Sequence, residues 1–85
     1  MGRLIRKPPG DFPKYQEALA ANVKRLREKA GLSQQELAAM TKLRQALVSD
    51  IERCQAHVNP TLETLIRLAD ALEVDLLVLL RSRKT

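Results

Sequence analysis

The segment from Gly31 to Arg53 constrains the fold of this chain more than any other, because it is typical of two short helices joined by a tight turn. Ser33, with Glu36 three residues later, predicts a capping box at the start of the first helix, directly after Gly31 ends the helix before it. The apolar residues spaced to bury one side of the pair are Leu37, Leu43, Val48 and Ile51. The outer side of the second helix then carries Gln45, Ala46, Ser49 and Asp50. A small, polar face of this kind is what reading the major groove of double-stranded DNA requires.

The composition agrees with a polyanionic partner. The 85 residues suffice for one small domain with a modest core, and the net charge is +5 with a pI near 9.9. A basic balance favours nucleic acid, although charge alone fits a solvated basic surface equally well. Tyr15 and Phe12 are the only aromatic residues, so base stacking of the kind used by single-strand binders is not expected.

Cysteine and histidine give no sign of a metal site or an enzyme. Cys54 is the single cysteine, which excludes an intramolecular disulfide and is typical of a reducing cytoplasm. Cys54 and His57 have the spacing of two metal ligands, but no second pair lies nearby and no third group would orient a nucleophile. No segment has the apolar length of a membrane span or a signal peptide. We therefore expect a protein without metal or cofactor that is not an enzyme.

Proline, glycine and the helical periodicity divide the chain into three parts. Residues 1–13 contain Pro8, Pro9, Gly10 and Pro13, and they are predicted to form a basic, flexible arm. Residues 14–73 form the helical domain, with helices over about 14–29, about 34–40 and about 44–53, and a fourth from an N-cap at Thr61 to about 72. The fourth helix is expected to bury Leu62 and Ile66 with its other apolar residues. Residues 74–85 are a C-terminal segment with a basic tail.

The apolar run at the start of that C-terminal segment allows two structures. As a fifth helix it would close the core, and a run this short cannot be assigned by periodicity alone. As a strand it would have a bare edge that only a second copy of the chain could pair, and the composition slightly favours this alternative. In either case we expect dimerisation through Val74, Leu76, Leu77, Val78, Leu79 and Leu80.

The same residues carry a family resemblance. Gly31-Leu-Ser-Gln-Gln-Glu-Leu-Ala, then a turn and Ile51-Glu-Arg53, resembles the signature of lambda-repressor-like, Xre-type helix-turn-helix proteins, and the likeness continues through Asn59-Pro-Thr-Leu-Glu-Thr-Leu. It implies a mainly α, compact domain of four to five helices that binds DNA. Residues 44–49 and the apolar ending look most like HipB-type antitoxins, which are dimeric autorepressors that hold a HipA-type kinase toxin.

The resemblance implies DNA contacts on the helix pair. Gln34, at the start of the second helix, is expected to contact the phosphate backbone. Gln45 is expected to pair with adenine, and Arg44 beside it to reach guanine or a phosphate. The predicted DNA-binding set is completed by Lys42, Ala46, Ser49 and Arg53. Arg27 and Glu52 pair in relatives, so here they are expected to form a structural ion pair.

Several positions depart from the family pattern. Lys42 stands where the turn usually has glycine, and Arg44 stands where serine or threonine caps the third helix. Cys54 replaces the glycine that normally ends this helix, which leaves it free to run on towards His57 or Asn59. Asp50 on the outer face repels phosphate, although its carboxylate could accept from cytosine N4.

We therefore expect a dimeric repressor that binds a pseudo-palindromic operator sequence-specifically, in the nucleoid and cytoplasm of a bacterium or from a phage. A narrower expectation is the antitoxin of a toxin–antitoxin operon, with a HipA-like kinase toxin as partner. Two alternatives stay open: a protein-interaction module with secondary DNA binding, and a non-specific nucleoid binder. The basic residues of the arm, Arg3, Arg6 and Lys7, either enter a minor groove or add unspecific charge.

Overall fold

The computed structural model describes residues 10–83, which form five α-helices around one apolar core. The helices are α1 (Phe12–Lys29), α2 (Gln34–Thr41), α3 (Gln45–Glu52), α4 (Leu62–Ala71) and α5 (Leu76–Leu80). α1 lies against α3 and α5, α2 against α3 and α4, and α4 also against α5. Every helix contributes to the core, whose most buried large side chains are Leu37, Ile51, Leu68, Leu79, Val23 and Val48. The mainly α architecture predicted from the sequence is confirmed.

The helix starts follow local sequence signals at two of the predicted N-caps. Ser33 Oγ accepts from the Glu36 amide at 2.9 Å, while Glu36 Oε1 accepts from the Ser33 amide at 2.8 Å, so the capping box is confirmed. Thr61 caps α4 by accepting from the Thr64 amide at 3.1 Å. α1 begins at Phe12, before the expected start at 14, because Pro13 in a first helical turn gives up no hydrogen bond. Residues 1–9 of the predicted arm lie outside the described part of the chain.

The first four helices end in the same left-handed turn, although a glycine is present in only one of them. The residues with φ between 56° and 75° at these ends are Gly31, Lys42, Cys54 and Glu73. At the end of α3 the Gln55 amide donates to Asp50 O at 3.2 Å across this turn, the bond that closes a Schellman motif. The expectation that α3 runs on to His57 or Asn59 is therefore wrong. Cys54 adopts the left-handed conformation that glycine usually supplies, and α3 ends at Glu52.

Two apolar residues of α4 are not buried as expected. Leu62 is 61% exposed and Ile66 is 50% exposed, whereas Leu68, Ala69 and Leu72 fill the core. Because Leu62 and Ile66 are four residues apart, they lie on one face of the helix, next to the buried one. The apolar stripe of α4 is thus wider than the surface that the other described residues cover.

The C-terminal run is a helix, so the slight preference for a dimerising strand is wrong. Leu79 is fully buried and the half-buried Val74, Leu76 and Leu80 pack against the same core. Asn22 of α1 is also buried, and its Nδ2 donates to the carbonyl oxygens of Val78, Leu79 and Arg81 at 2.9–3.0 Å. A lone strand would have left a row of backbone groups without partners, whereas the helix satisfies them within one chain.

Candidate nucleic-acid interface

The first turn of α3 presents an exposed polar surface, while the opposite side of the helix is buried in the core. Val48 and Ile51 are 0% and 2% exposed, which fixes the inner side of the helix in the core. Arg44, the N-cap, is exposed together with Gln45 and Ala46, and Ser49 one turn later is half-buried. The side chains that face solvent are thus small or polar, and the backbone at Ala46 can approach a ligand closely.

Arg27, Gln34 and Glu52 form a hydrogen-bonded network that joins three parts of the domain. Arg27 Nε and Nη2 donate to Glu52 Oε2 and Oε1 at 2.7 and 2.9 Å, a bidentate pair. Arg27 Nη1 also donates to Leu32 O at 2.7 Å, in the loop before α2. Gln34 Nε2 donates to Glu52 Oε1 at 3.0 Å. The network therefore connects α1, the start of α2 and the end of α3.

Burial makes this network electrostatically strong. The Glu52 side chain is 3% exposed and that of Arg27 is 11% exposed. Burial alone raises the pKa of Glu52, but the hydrogen bonds from Arg27 and Gln34 and the positive charges nearby outweigh it, so the pKa lies below its ordinary value. The hydrogen bond to Glu52 raises the pKa of Arg27 in spite of its burial. Both groups are charged at neutral pH.

Gln34 lies at the surface and also donates an internal hydrogen bond to Glu52. It is the first residue of α2 and half-buried, and one of its amide hydrogens is directed at Glu52. A side-chain amide has two donor hydrogens, so the second stays available for an anion next to the helix N-terminus. The sequence pattern indicated a phosphate contact for Gln34 but not this internal bond.

Asp50 and Arg53 pair with each other on the outer side of α3. Arg53 Nη2 donates to Asp50 Oδ1 at 3.0 Å, and the other carboxylate oxygen lies 3.7 Å from His57 Nε2. The acidic charge that opposes a phosphate is thus offset by a neighbouring cation. Arg53 is 63% exposed, so its guanidinium still borders solvent.

A groove separates the first turns of α3 from the loop that leads to α4. Its walls include Arg44, Ala46 and Asp50 on one side and His57, Asn59 and Thr61 on the other. Lys42 lies in the turn between α2 and α3, exposed and in the left-handed conformation with φ 60°. The predicted DNA-binding residues therefore occupy the turn, the exposed face of α3 and the start of α2.

Sequence reasoning missed two polar residues that join distant parts of the fold: Gln16 holds the loop after α3, and Asn22 holds the end of α5. Gln16 Nε2 of α1 donates to Ala56 O at 3.2 Å and Val58 O at 2.8 Å, which holds the loop after α3. Asn22 lies among the apolar stripe residues of α1, and a buried amide in such a stripe signals hydrogen-bond partners elsewhere in the fold. Gln16 left no comparable signal, because its partners are backbone carbonyls of a distant loop.

The described residues hold no group of three or more metal-binding side chains, and none of their helices is long and apolar enough to cross a membrane. Cys54 is half-buried in the turn that ends α3, and His57 lies in the following loop.

Residues 23–79, most of the chain, match the helix-turn-helix family HTH_3. The chain belongs to this family. The matched segment contains α2, α3 and α4 in full, together with the Arg27–Glu52 pair. A search among curated proteins found no match.

Solved structures agree with the HTH_3 assignment. NHTF, a hypothetical transcription factor from Neisseria, is 30% identical with a TM-score of 0.77, and the match covers 95% of this chain and 90% of that one. The restriction-modification controller protein C.AhdI from Aeromonas hydrophila is 31% identical with a TM-score of 0.70, covering 75% and 94%. The N-terminal DNA-binding domain of SinR from Bacillus subtilis is 26% identical with a TM-score of 0.73, covering 81% and 99%. Family and neighbours support DNA-binding regulation for this HTH_3 protein and the lambda-repressor-like fold.

Proposed function

We propose that the protein is a transcriptional repressor that reads double-stranded DNA with α3 in the major groove. The observation that carries this proposal is the exposure of Arg44, Gln45 and Ala46 on a helix whose opposite side is buried at Val48 and Ile51. A helix held in this way presents base-reading side chains without losing its own position. Repression follows from occupation of a promoter, and no catalytic step is involved.

Each predicted contact has its own role in this proposal. Gln45 pairs with adenine, Arg44 with guanine or a phosphate, and Ser49 with whichever group lies one turn further along. Gln34, with the amides at the start of α2, binds a phosphate and sets the register of the protein on the duplex. The remaining proposed contacts, which supply charge or allow close approach, are Lys42, Ala46 and Arg53.

The test is selection of bound sequences from random duplex DNA at near-physiological salt. We expect an enriched pseudo-palindrome with half-sites about one helical turn apart. Gln45→Ala is expected to lose about tenfold in preference for the enriched sequence over a scrambled one. Lys24 is an exposed cation of α1 whose charge acts on Glu52 at the end of α3, so Lys24→Ala is expected to weaken binding to both sequences evenly. Equal losses for Gln45→Ala on cognate and scrambled DNA contradict the role of Gln45, and no enrichment favours the protein-interaction module or a non-specific binder.

Dimerisation is part of this proposal, with the surface revised from the sequence expectation. Most of the run from Val74 to Leu80 packs in the protein's own core, but Leu77 is 67% exposed. Leu62 and Ile66 of α4 are the other large exposed apolar side chains of the last two helices. Sedimentation of Leu77→Glu against the wild-type chain tests this surface. A dimer that persists unchanged in Leu77→Glu excludes Leu77 from the interface.

The operon that such a repressor controls has two candidates. The resemblance to HipB-type antitoxins favours its own toxin–antitoxin operon and a HipA-like kinase as partner. The likeness to C.AhdI, a restriction-modification controller protein, favours a restriction-modification operon. The neighbouring gene in the host distinguishes the two operons, because it encodes a kinase toxin in one case and a restriction or modification enzyme in the other. A pull-down from that host tests whether a kinase toxin binds this protein.

A further inference from the structure

Asp50 brings a negative charge onto the face that the proposed function turns towards DNA. The carboxylate is 28% exposed and has a basic group on each side. Oδ1 accepts from Arg53 Nη2 at 3.0 Å, and Oδ2 lies 3.7 Å from His57 Nε2. Arg53 is charged at all relevant pH values, whereas His57 is charged only when protonated. The net charge of these three residues is therefore zero or +1, depending on His57.

The side chain of Gln16 holds the loop that places His57 next to Asp50. Gln16 binds the carbonyl oxygens of Ala56 and Val58, the residues on either side of His57. Val58 is buried, while the imidazole itself is 73% exposed. The loop thus holds the imidazole at the edge of α3 and leaves it open to solvent and to a ligand.

Among residues 10–83, the charged groups that lie near His57 belong to α3 and its two ends. They are Asp50, Arg53 through its bond to Asp50, and Arg44 on the opposite wall of the groove. α1 contributes Gln16 and α4 contributes Thr64, with the N-cap Thr61 beside it, and none of these titrates.

We propose that Asp50, Arg53 and His57 form a proton-responsive edge of the DNA-binding face, and that His57 is a further DNA-interface residue. This inference rests on the proposed function. A polyanion binds the +1 state of the cluster more tightly than the neutral state, since protonated His57 compensates Asp50 and leaves Arg53 to a phosphate. Affinity is therefore highest when His57 is protonated, and it falls as the pH rises and the imidazole loses its proton.

The experiment measures the affinity of the full chain for a labelled mixed-sequence duplex of about 30 base pairs, long enough for two half-sites. Titrations run from about pH 8 to about pH 5.5 at fixed, low ionic strength, a range that spans imidazole protonation. For the wild-type chain we expect binding about three- to tenfold tighter at the lower pH. The dependence of log affinity on log salt becomes steeper by about one, because one more phosphate is neutralised.

Two variants separate the parts of the cluster. His57→Gln keeps a polar side chain without the titration, so it is expected to bind like wild type at high pH and to gain nothing on acidification. Asp50→Asn removes the carboxylate, so it is expected to bind more tightly at high pH and to show a smaller gain at low pH. All three chains are checked by circular dichroism at both pH values. Because His57 is exposed, His57→Gln is expected to keep the fold.

The outcomes that overturn the inference are specific. The inference is overturned if the affinity of the wild-type chain for DNA does not change with pH. It is also overturned if the tighter binding at low pH persists in His57→Gln, or if it is undiminished in Asp50→Asn. In each of these cases DNA is still bound, so the result bears on the inference alone, and the selection experiment decides the sequence preference that the proposed function requires. No binding by the wild-type chain at any pH overturns the proposed function, and the inference with it.

Discussion

The two helices of the helix-turn-helix begin in opposite ways. α2 starts with a complete capping box, in which Ser33 and Glu36 each satisfy a backbone amide of the other. α3 starts at Arg44, whose backbone is extended like that of an N-cap but whose side chain makes no capping hydrogen bond. The first helix is thus stabilised at its start by its own sequence, and the second is not.

The difference shows where the stability of α3 comes from. Its inner side is buried at Val48 and Ile51, and its last residue, Glu52, is held by Arg27 and Gln34. Tertiary contacts along the helix and at its C-terminal end therefore replace the local cap. The N-terminal end keeps a positive side chain, Arg44, beside backbone amides without a side-chain acceptor, and this combination suits an anionic ligand.

The largest effect is expected when the Arg27–Glu52 pair, which holds the end of α3, is broken. Arg27→Ala is expected to lower the free energy of unfolding by about 3–5 kcal/mol, because it leaves the buried Glu52 carboxylate without its partner. Urea denaturation followed by circular dichroism measures the loss. Lys29→Ala, an exposed residue of the same helix, is the matched control and should change the value by less than about 0.5 kcal/mol. Equal losses would show that Glu52 does not depend on Arg27.

Acidification is expected to weaken the Arg27–Glu52 pair progressively as Glu52 becomes protonated. The folded-state pKa of Glu52 is lowered, so its stabilising contribution is complete above the ordinary value of 4.5 and is lost as the pH falls through the lowered pKa. We expect a smaller effect than that of Arg27→Ala, because a protonated Glu52 is neutral and not an unpaired charge. Unfolding free energies measured across this range in wild type and Glu52→Gln give the test. The variant should show a shallower acid dependence, and identical slopes would assign the acid response to other carboxylates.

The unequal helix starts predict unequal effects of alanine. Ser33→Ala should lower the free energy of unfolding by about 1 kcal/mol, because the Glu36 amide loses its acceptor. Arg44→Ala should change it by less than about 0.5 kcal/mol, since no capping bond is lost. Thermal unfolding of the two variants side by side is sufficient. A loss at Arg44 as large as that at Ser33 would mean that the side chain stabilises the helix in some other way.

Supplying the missing cap at the start of α3 is expected to stabilise the protein modestly and so to sharpen the comparison. Arg44→Ser should raise the free energy of unfolding by about 0.5–1 kcal/mol and at the same time weaken DNA binding. Stability is measured by denaturation and affinity by titration with duplex DNA. A more stable variant with unchanged affinity would remove Arg44 from the proposed DNA contacts while leaving the account of the helix start intact.

Local signals predicted the parts of the fold that local interactions build. The capping box at Ser33, the N-cap at Thr61 and the end of α1 at Gly31 depend on residues within one or two helical turns. The polar outer face of α3 was also predicted, because its exposure follows from the helical spacing of the apolar residues on the other side. These features need no knowledge of distant residues.

Features that depend on distant residues were missed or predicted wrongly. The helical form of Leu76–Leu80 is favoured by Asn22, more than fifty residues earlier, which binds three carbonyl oxygens at its end. The exposure of Leu62 and Ile66 reflects the limited surface that a chain of this size can place over α4. The pairing of Gln34 with Glu52, and of Asp50 with His57, joins separate elements of the chain.

By itself, the sequence determined the helix-turn-helix, its inner and outer faces and the class of its partner, because periodicity and capping act over a few residues. Only the tertiary structure decided how the end of α3 is held, which part of the C-terminal run stays exposed, and that His57 lies beside Asp50 on the outer side of α3. The physical reason is that hydrogen bonds and ion pairs between distant residues depend on side-chain positions that exist only after the core has packed.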